Sequence, residues 1–181
     1  EKYQKFSWPL KTLAHCNLVG YGTERNPEKA KGYFEKAVDN QIFKGSNVFY
    51  AWWLAVYPDE SFRDAERALA FVLEVIDDED FKDKPIYLDT LAAVYAANGQ
   101  FDKALKAQQK ALKVLNEYIQ KYSYMGVYKV TFESRLEHYK QGKPWVFSFD
   151  DIKRCGYDSK RCLKKPLSAM KNEHKLIPKL L

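Results

Sequence analysis

An all-α fold built from short helix pairs is what this sequence predicts, and three observations carry the prediction. Apolar residues recur at helical rather than alternating spacing, most plainly at Leu88, Leu91, Ala92 and Tyr95. The breaks between such stretches, at Pro58 to Ser61 and at Asn98-Gly99, are only a few residues long, so successive helices must fold back antiparallel. Small residues in the second helix of each pair return at a near-constant interval: Ala30, Ala68 and Ala104 are 38 and 36 residues apart. The composition agrees, since 46% hydrophobic and 15% aromatic residues with only 8 Gly and 7 Pro in 181 suit close-packed helices better than a turn-rich β-fold. A chain of this size can bury a core without disulfide or metal staples.

The first unit runs from Trp8 to Asn40. Leu13 and Ala14 mark its first helix, Gly20-Tyr21-Gly22 its turn, and Pro27 suits the first turn of its second helix. That helix carries one apolar stripe, Ala30, Tyr33, Phe34 and Ala37. The second unit, Asn47 to Ile76, places Ala51, Leu54 and Ala55 on one helix and Ala68, Val72, Val75 and Ile76 on the next. Pro58 stops the former, and Ser61 or Asp64 caps the latter. The third, Pro85 to Tyr118, joins the Leu88 helix to one lined by Ala104, Ala107, Ala111, Leu112 and Leu115. A further helix, Val130 to Gln141, ends at Gly142 and Pro144.

Within the third unit, Leu88, Leu91, Ala92, Tyr95, Gly99, Phe101, Ala104 and Ala111 fall where the tetratricopeptide repeat has its signature residues, and the segment resembles that family. Gln108, where an aromatic is expected, and Asn116, where the repeat often ends in Pro, depart from it. The second unit, with Trp53 to Asp59, Arg63-Asp64 and Arg67-Ala68-Leu69, looks like a bacterial tetratricopeptide arrangement whose later helix ends as Arg135-Leu136 to Lys143-Pro144 does here. The first unit resembles the Sel1-like variant through Leu13, Ala14, Gly20, Gly22, Asn26, Ala30, Phe34 and Ala37, with Asn17 replacing its usual Tyr. The resemblance implies a right-handed α-α superhelix of about three helix pairs plus a capping helix, a repeat domain over 1–144 and a basic C-terminal extension over 145–181. It is specific for fold and silent on function.

The formal charge is +6, and from Trp145 onward nine Lys or Arg stand against four acids, so the tail holds +5 of it. No stacking-aromatic motif, zinc finger or recognition helix accompanies this tail, which favours a solvated extension or a dock for an acidic protein surface over nucleic acid. No apolar run approaches the roughly 18 to 20 residues that cross a bilayer. The chain opens at Glu1 rather than Met, which is compatible with a removed leader or a further domain. Cys155 and Cys162 sit in a polar segment where a short disulfide loop forms if the compartment oxidises thiols, and this tips the expected location towards the bacterial periplasm. Cys16, among apolar residues, reads as a buried thiol.

Catalysis has little support. His15, His138 and His174 are too scattered for a zinc site. Asp77-Asp78-Glu79-Asp80 lacks the Gly turn and distal Glu of a calcium loop and reads as a solvated linker. Gly20-Tyr21-Gly22 has no preceding strand and no third Gly of a nucleotide loop. No enzyme and no cofactor is expected. First helices of such stacks line a concave surface that holds a peptide or a partner's helix, so the resemblance places candidate partner contacts at Trp8, Lys11, His15, Phe49, Trp52, Trp53, Val56, Asp89, Ala93 and Ala96. Trp52 and Trp53 are about 100° apart on their helix, so one of them belongs to the core. The Lys clamp of chaperone-tail receptors is missing. The expected function is a scaffold or adaptor that binds a peptide or protein. The alternative is an immunity or inhibitor protein that blocks a toxic effector enzyme, its basic tail covering an acidic cleft.

Overall fold

The computed structural model describes residues 4–39 and 45–152, with side chains from residue 9 onward, and every regular element in them is helical. In chain order these are α1 (Gln4–Val19), α2 (Pro27–Asp39), α3 (Gly45–Val56), α4 (Ala65–Leu73), α5 (Pro85–Ala97), α6 (Phe101–Lys121), a short 3-10 helix (Ser123–Tyr128) and α7 (Lys129–Lys140). None of these is long and apolar enough to cross a membrane. The contacts divide the chain into two compact units, one of residues 47–147 and one of residues 1–46 with those from 148 on. The sequence pattern placed a boundary after Pro144; the contacts keep Trp145 to Phe147 with the helices before them.

In the smaller unit α1 packs on α2, burying Ala14, Leu18 and Val19 on one side and Ala30, Phe34 and Ala37 on the other. The turn between them works because Gly20 and Gly22 adopt φ of 77° and 67°, a region in which a side chain would clash. The Asn17 backbone carbonyl accepts from the Asn26 N–H at 2.7 Å, which draws the loop back to α1, while the Asn17 side-chain amide donates to the Leu13 carbonyl within α1 at 2.8 Å. The Asn26 side chain then accepts from the Lys29 N–H at 2.9 Å, and with Pro27 as the first helical residue this starts α2.

In the larger unit α3 stops before Pro58, and the Asp64 carboxylate accepts from the Arg67 N–H at 2.9 Å as the N-cap of α4. Of the two capping residues the sequence offered, Asp64 does the work, while Ser61 bonds back to Asp59. α5 is enclosed by α4, α6 and α7 and buries nine of its 13 residues, so it lacks a polar face. Its end is fixed by Gly99 at φ 71° and by Asn98, whose side-chain amide donates to the Ala65 carbonyl at 2.7 Å and so ties one helix pair to the next. α6 faces α5 with fully buried Ala104 and Ala111, and these small residues let the two backbones approach closely. Gly142, at φ 65°, ends α7.

Beneath the linker that follows α4 lies a small apolar pocket lined by Val48, Val72, Val75, Phe81, Tyr87 and Leu91. The Tyr87 ring stands edge-on to Phe81 at 4.6 Å, and burial, with Asp80 nearby, pushes its hydroxyl up to about 12. A tyrosine whose folded value is raised contributes stability that is complete below its ordinary value near 10 and is lost as pH rises through about 12. Alkaline unfolding of the larger unit is therefore expected to begin above pH 10, and Tyr87→Phe to shift that onset upward, as a denaturation series followed by circular dichroism would show.

Candidate interaction surfaces

The residues expected to line an open groove are mostly inside the molecule. Trp53, Val56, Asp89, Ala93 and Ala96 are buried, and so is Lys11. Each of these six is an interior position of the unit it belongs to. Burial pushes the Lys11 ammonium down to about 8, and His15, half-buried, is lowered by burial and then by Lys11. Phe49 and Trp52 are half-buried. Trp8 lies in α1, but its side chain falls outside the described residues, as do Cys155, Cys162 and the basic tail. Cys16 is half-buried rather than buried, a free thiol that burial pushes upward.

In the larger unit Asp89 and Trp52 take part in a polar clasp and an aromatic strap. Asp89 sits on α5 at a position that would otherwise be apolar core. Its carboxylate accepts from Arg135 Nη1 of α7 at 2.6 Å and from Gln108 Nε2 of α6 at 2.8 Å, and Gln108 also donates to the Phe132 carbonyl at 3.1 Å. One acid thus joins three helices. Burial pushes the Asp89 carboxyl above its ordinary range, while Arg135 and Gln108 pull it back. Tyr139 stands close by, its hydroxyl raised by burial and then by the Asp89 charge. Gln108 Oε1, Arg135 Nε and the Tyr139 hydroxyl, all buried, make no hydrogen bond to the described residues. Sequence carried a signal for this cluster: Gln108 stands where the repeat wants an aromatic, and a polar side chain in an apolar stripe implies a buried partner.

After Gly142 and Pro144 the chain crosses α3 without regular structure. The Trp145 ring lies against Trp52, centroids 6.0 Å apart and planes within 30°, and Phe147 stacks on Trp53 at 5.4 Å. The Arg135 guanidinium sits 4.7 Å from the Trp52 ring centroid and 4.6 Å from that of Trp145. A backbone bond fixes the register, Phe147 N–H to the Val56 carbonyl at 2.9 Å. The two aromatic residues of the strap were not among the candidates read from the sequence, which assigned them to the tail. Of the two adjacent tryptophans on α3, Trp53 is the core residue and Trp52 the one beneath the strap.

A different surface is open. Between the end of α6 and the start of α7, Tyr122, Tyr124, Val127, Tyr128 and Val130 are all exposed, with Val127 and Val130 at 74% and 73%. Across α6, on the side away from its buried alanines, Lys103, Lys106, Lys110 and Lys113 form a basic ridge at helical spacing, of which Lys110 pairs with Asp83 at 3.0 Å. No family model, curated protein or solved structure matches this chain.

Proposed function

We propose that this chain is a protein-interaction module of the tetratricopeptide and Sel1-like kind, built from helix pairs of the right-handed superhelical type, acting as a scaffold or adaptor. The observation that carries the reading is the stretch from Tyr122 to Val130, where five large apolar or aromatic side chains stand exposed within nine residues. Apolar side chains concentrated on one exposed surface mark a place where another molecule excludes water. Tyrosines there add contact area at low entropic cost and keep a hydroxyl for hydrogen bonding.

A photocrosslinking amino acid placed at Val127 or Val130 in native cells tests this. Discrete adducts are expected, and they should disappear in a variant carrying Tyr124→Asp and Tyr128→Asp whose helicity and melting temperature stay unchanged. The same probe at Gln109 on the far side of α6 should give none. Adducts equal at all three sites would remove the reading.

The Lys ridge of α6 favours a second reading, the inhibitor that covers an acidic surface of a target enzyme. Its mark would be a single partner whose capture falls steeply with salt and is abolished by Lys106→Glu with Lys113→Glu, while Tyr124→Asp leaves it intact.

A further inference from the structure

The strap over α3 is bound as a ligand would be bound. The last carbonyls of a helix have no partner within it, and the Val56 carbonyl at the end of α3 finds one in the Phe147 N–H at 2.9 Å. That bond recognises backbone, not sequence. Side-chain recognition comes from alternate residues: in a non-helical segment Trp145 and Phe147 both turn towards α3, their rings 4.6 Å apart, while Trp52 and Trp53 supply the faces they meet. Arg135 completes the site. Held by Asp89, its guanidinium presents fixed positive charge to the Trp145 ring at 4.6 Å, an arrangement that prefers an electron-rich indole.

We propose that the α3–α7 seam is a recognition site for an extended peptide bearing two aromatic side chains one residue apart, and that Trp145 to Phe147 occupies it in cis as an internal competitor. The proposal rests on the interaction reading above for its biological use and names a second site of stated chemistry, separate from the Tyr122 to Val130 surface. The strap is suited to release: Trp145, Val146 and Phe147 are each half-buried, and the segment forms no helix. Tethering gives it an effective concentration on the order of millimolar, so a partner segment must outcompete it or find it already lifted.

The test uses the purified chain and a synthetic peptide of residues 143–149, Lys-Pro-Trp-Val-Phe-Ser-Phe, titrated by isothermal calorimetry into wild type and into Trp145→Ala with Phe147→Ala. Saturable binding is expected to the double variant, and binding at least roughly 10-fold weaker to wild type, where the strap competes. Trp52→Ala in the double-variant background should abolish it, and a peptide with Trp and Phe made adjacent should bind more weakly. If the alanine variant does not fold, Trp145→Leu with Phe147→Leu, which keeps apolar cover without the ring stacking, decides by the same criteria. A helical variant that fails to bind the peptide, or equal binding by wild type and variant, overturns the proposal. Failure here with crosslinking at Val127 intact overturns the strap site alone; loss of the crosslinks with peptide binding intact overturns only the Tyr122 to Val130 surface.

Discussion

Replacing Asp89 with Ala is expected to destabilise the larger unit by about 3–5 kcal/mol, because it leaves the Arg135 guanidinium buried without its counter-charge. The carboxylate is 4% exposed, and Arg135 at 7% has no route to water that keeps its place between α7 and the two tryptophans. Gln108 would lose one of its two acceptors at the same time. The ion pair itself need not be worth so much. Taking two charges out of water nearly cancels their attraction, so Asp89→Leu combined with Arg135→Met should recover most of the loss. Three of the four tryptophans, Trp52, Trp53 and Trp145, lie in the larger unit, so urea unfolding followed by tryptophan fluorescence reports mainly on it. The single variant should lower the midpoint far more than the double one. Equal midpoints for the two would mean that the loss comes from something other than the stranded cation.

The second large effect concerns nesting of the helices. Ala111 is fully buried on the face of α6 that meets α5, and Ala111→Leu forces additional methylene groups into a packed seam, for an expected loss of about 1–3 kcal/mol. The matched control is Gln109→Leu, an exposed site two residues away on the same helix, where the change should stay within about 0.5 kcal/mol. Helix propensity hardly separates the two sites, so a difference between them isolates the close approach of the backbones. If Ala111→Leu were neutral, small residues at matched intervals would not be what brings the pairs together.

Where several helices start or stop was legible because the deciding chemistry is local, although α4 ends at Leu73, short of the Val75 and Ile76 that the spacing placed on it, and the 3-10 helix Ser123–Tyr128 was not read. Pro58, Asp64, Pro27, Asn98-Gly99 and Gly142 act within a turn of where they stand, and each marks a helix boundary that the structure reproduces. The buried alanines were legible for a related reason, since a stripe at helical spacing needs no knowledge of its partner. The groove was not. Asp89 and Arg135 are 46 residues apart, and nothing near either says that they meet. The candidate contacts were placed on first helices by the resemblance alone, and the residues that meet Asp89, Trp52 and Trp53, on α7 and in Trp145 to Phe147, lie at the end of the chain, where the repeat pattern gives no instruction. Adjacent Trp52 and Trp53 posed a choice that spacing could not make, because each is apolar and either could face inward. Gln108 carried a signal, as a polar residue that broke an apolar stripe, but its partners Asp89 and the Phe132 carbonyl could not be named from it.

Central to the proposed site is that Trp145 to Phe147 is seated on α3 while still able to leave. Hydrogen exchange at the Phe147 amide, read by NMR on the wild-type chain, reports this directly. The amide should exchange at least about 10-fold more slowly than in an unstructured peptide, yet faster than the Val94 amide in the enclosed helix α5. Exchange at the free-peptide rate would mean that the strap does not hold the Val56 carbonyl, and protection equal to that of Val94 would mean that it never lifts.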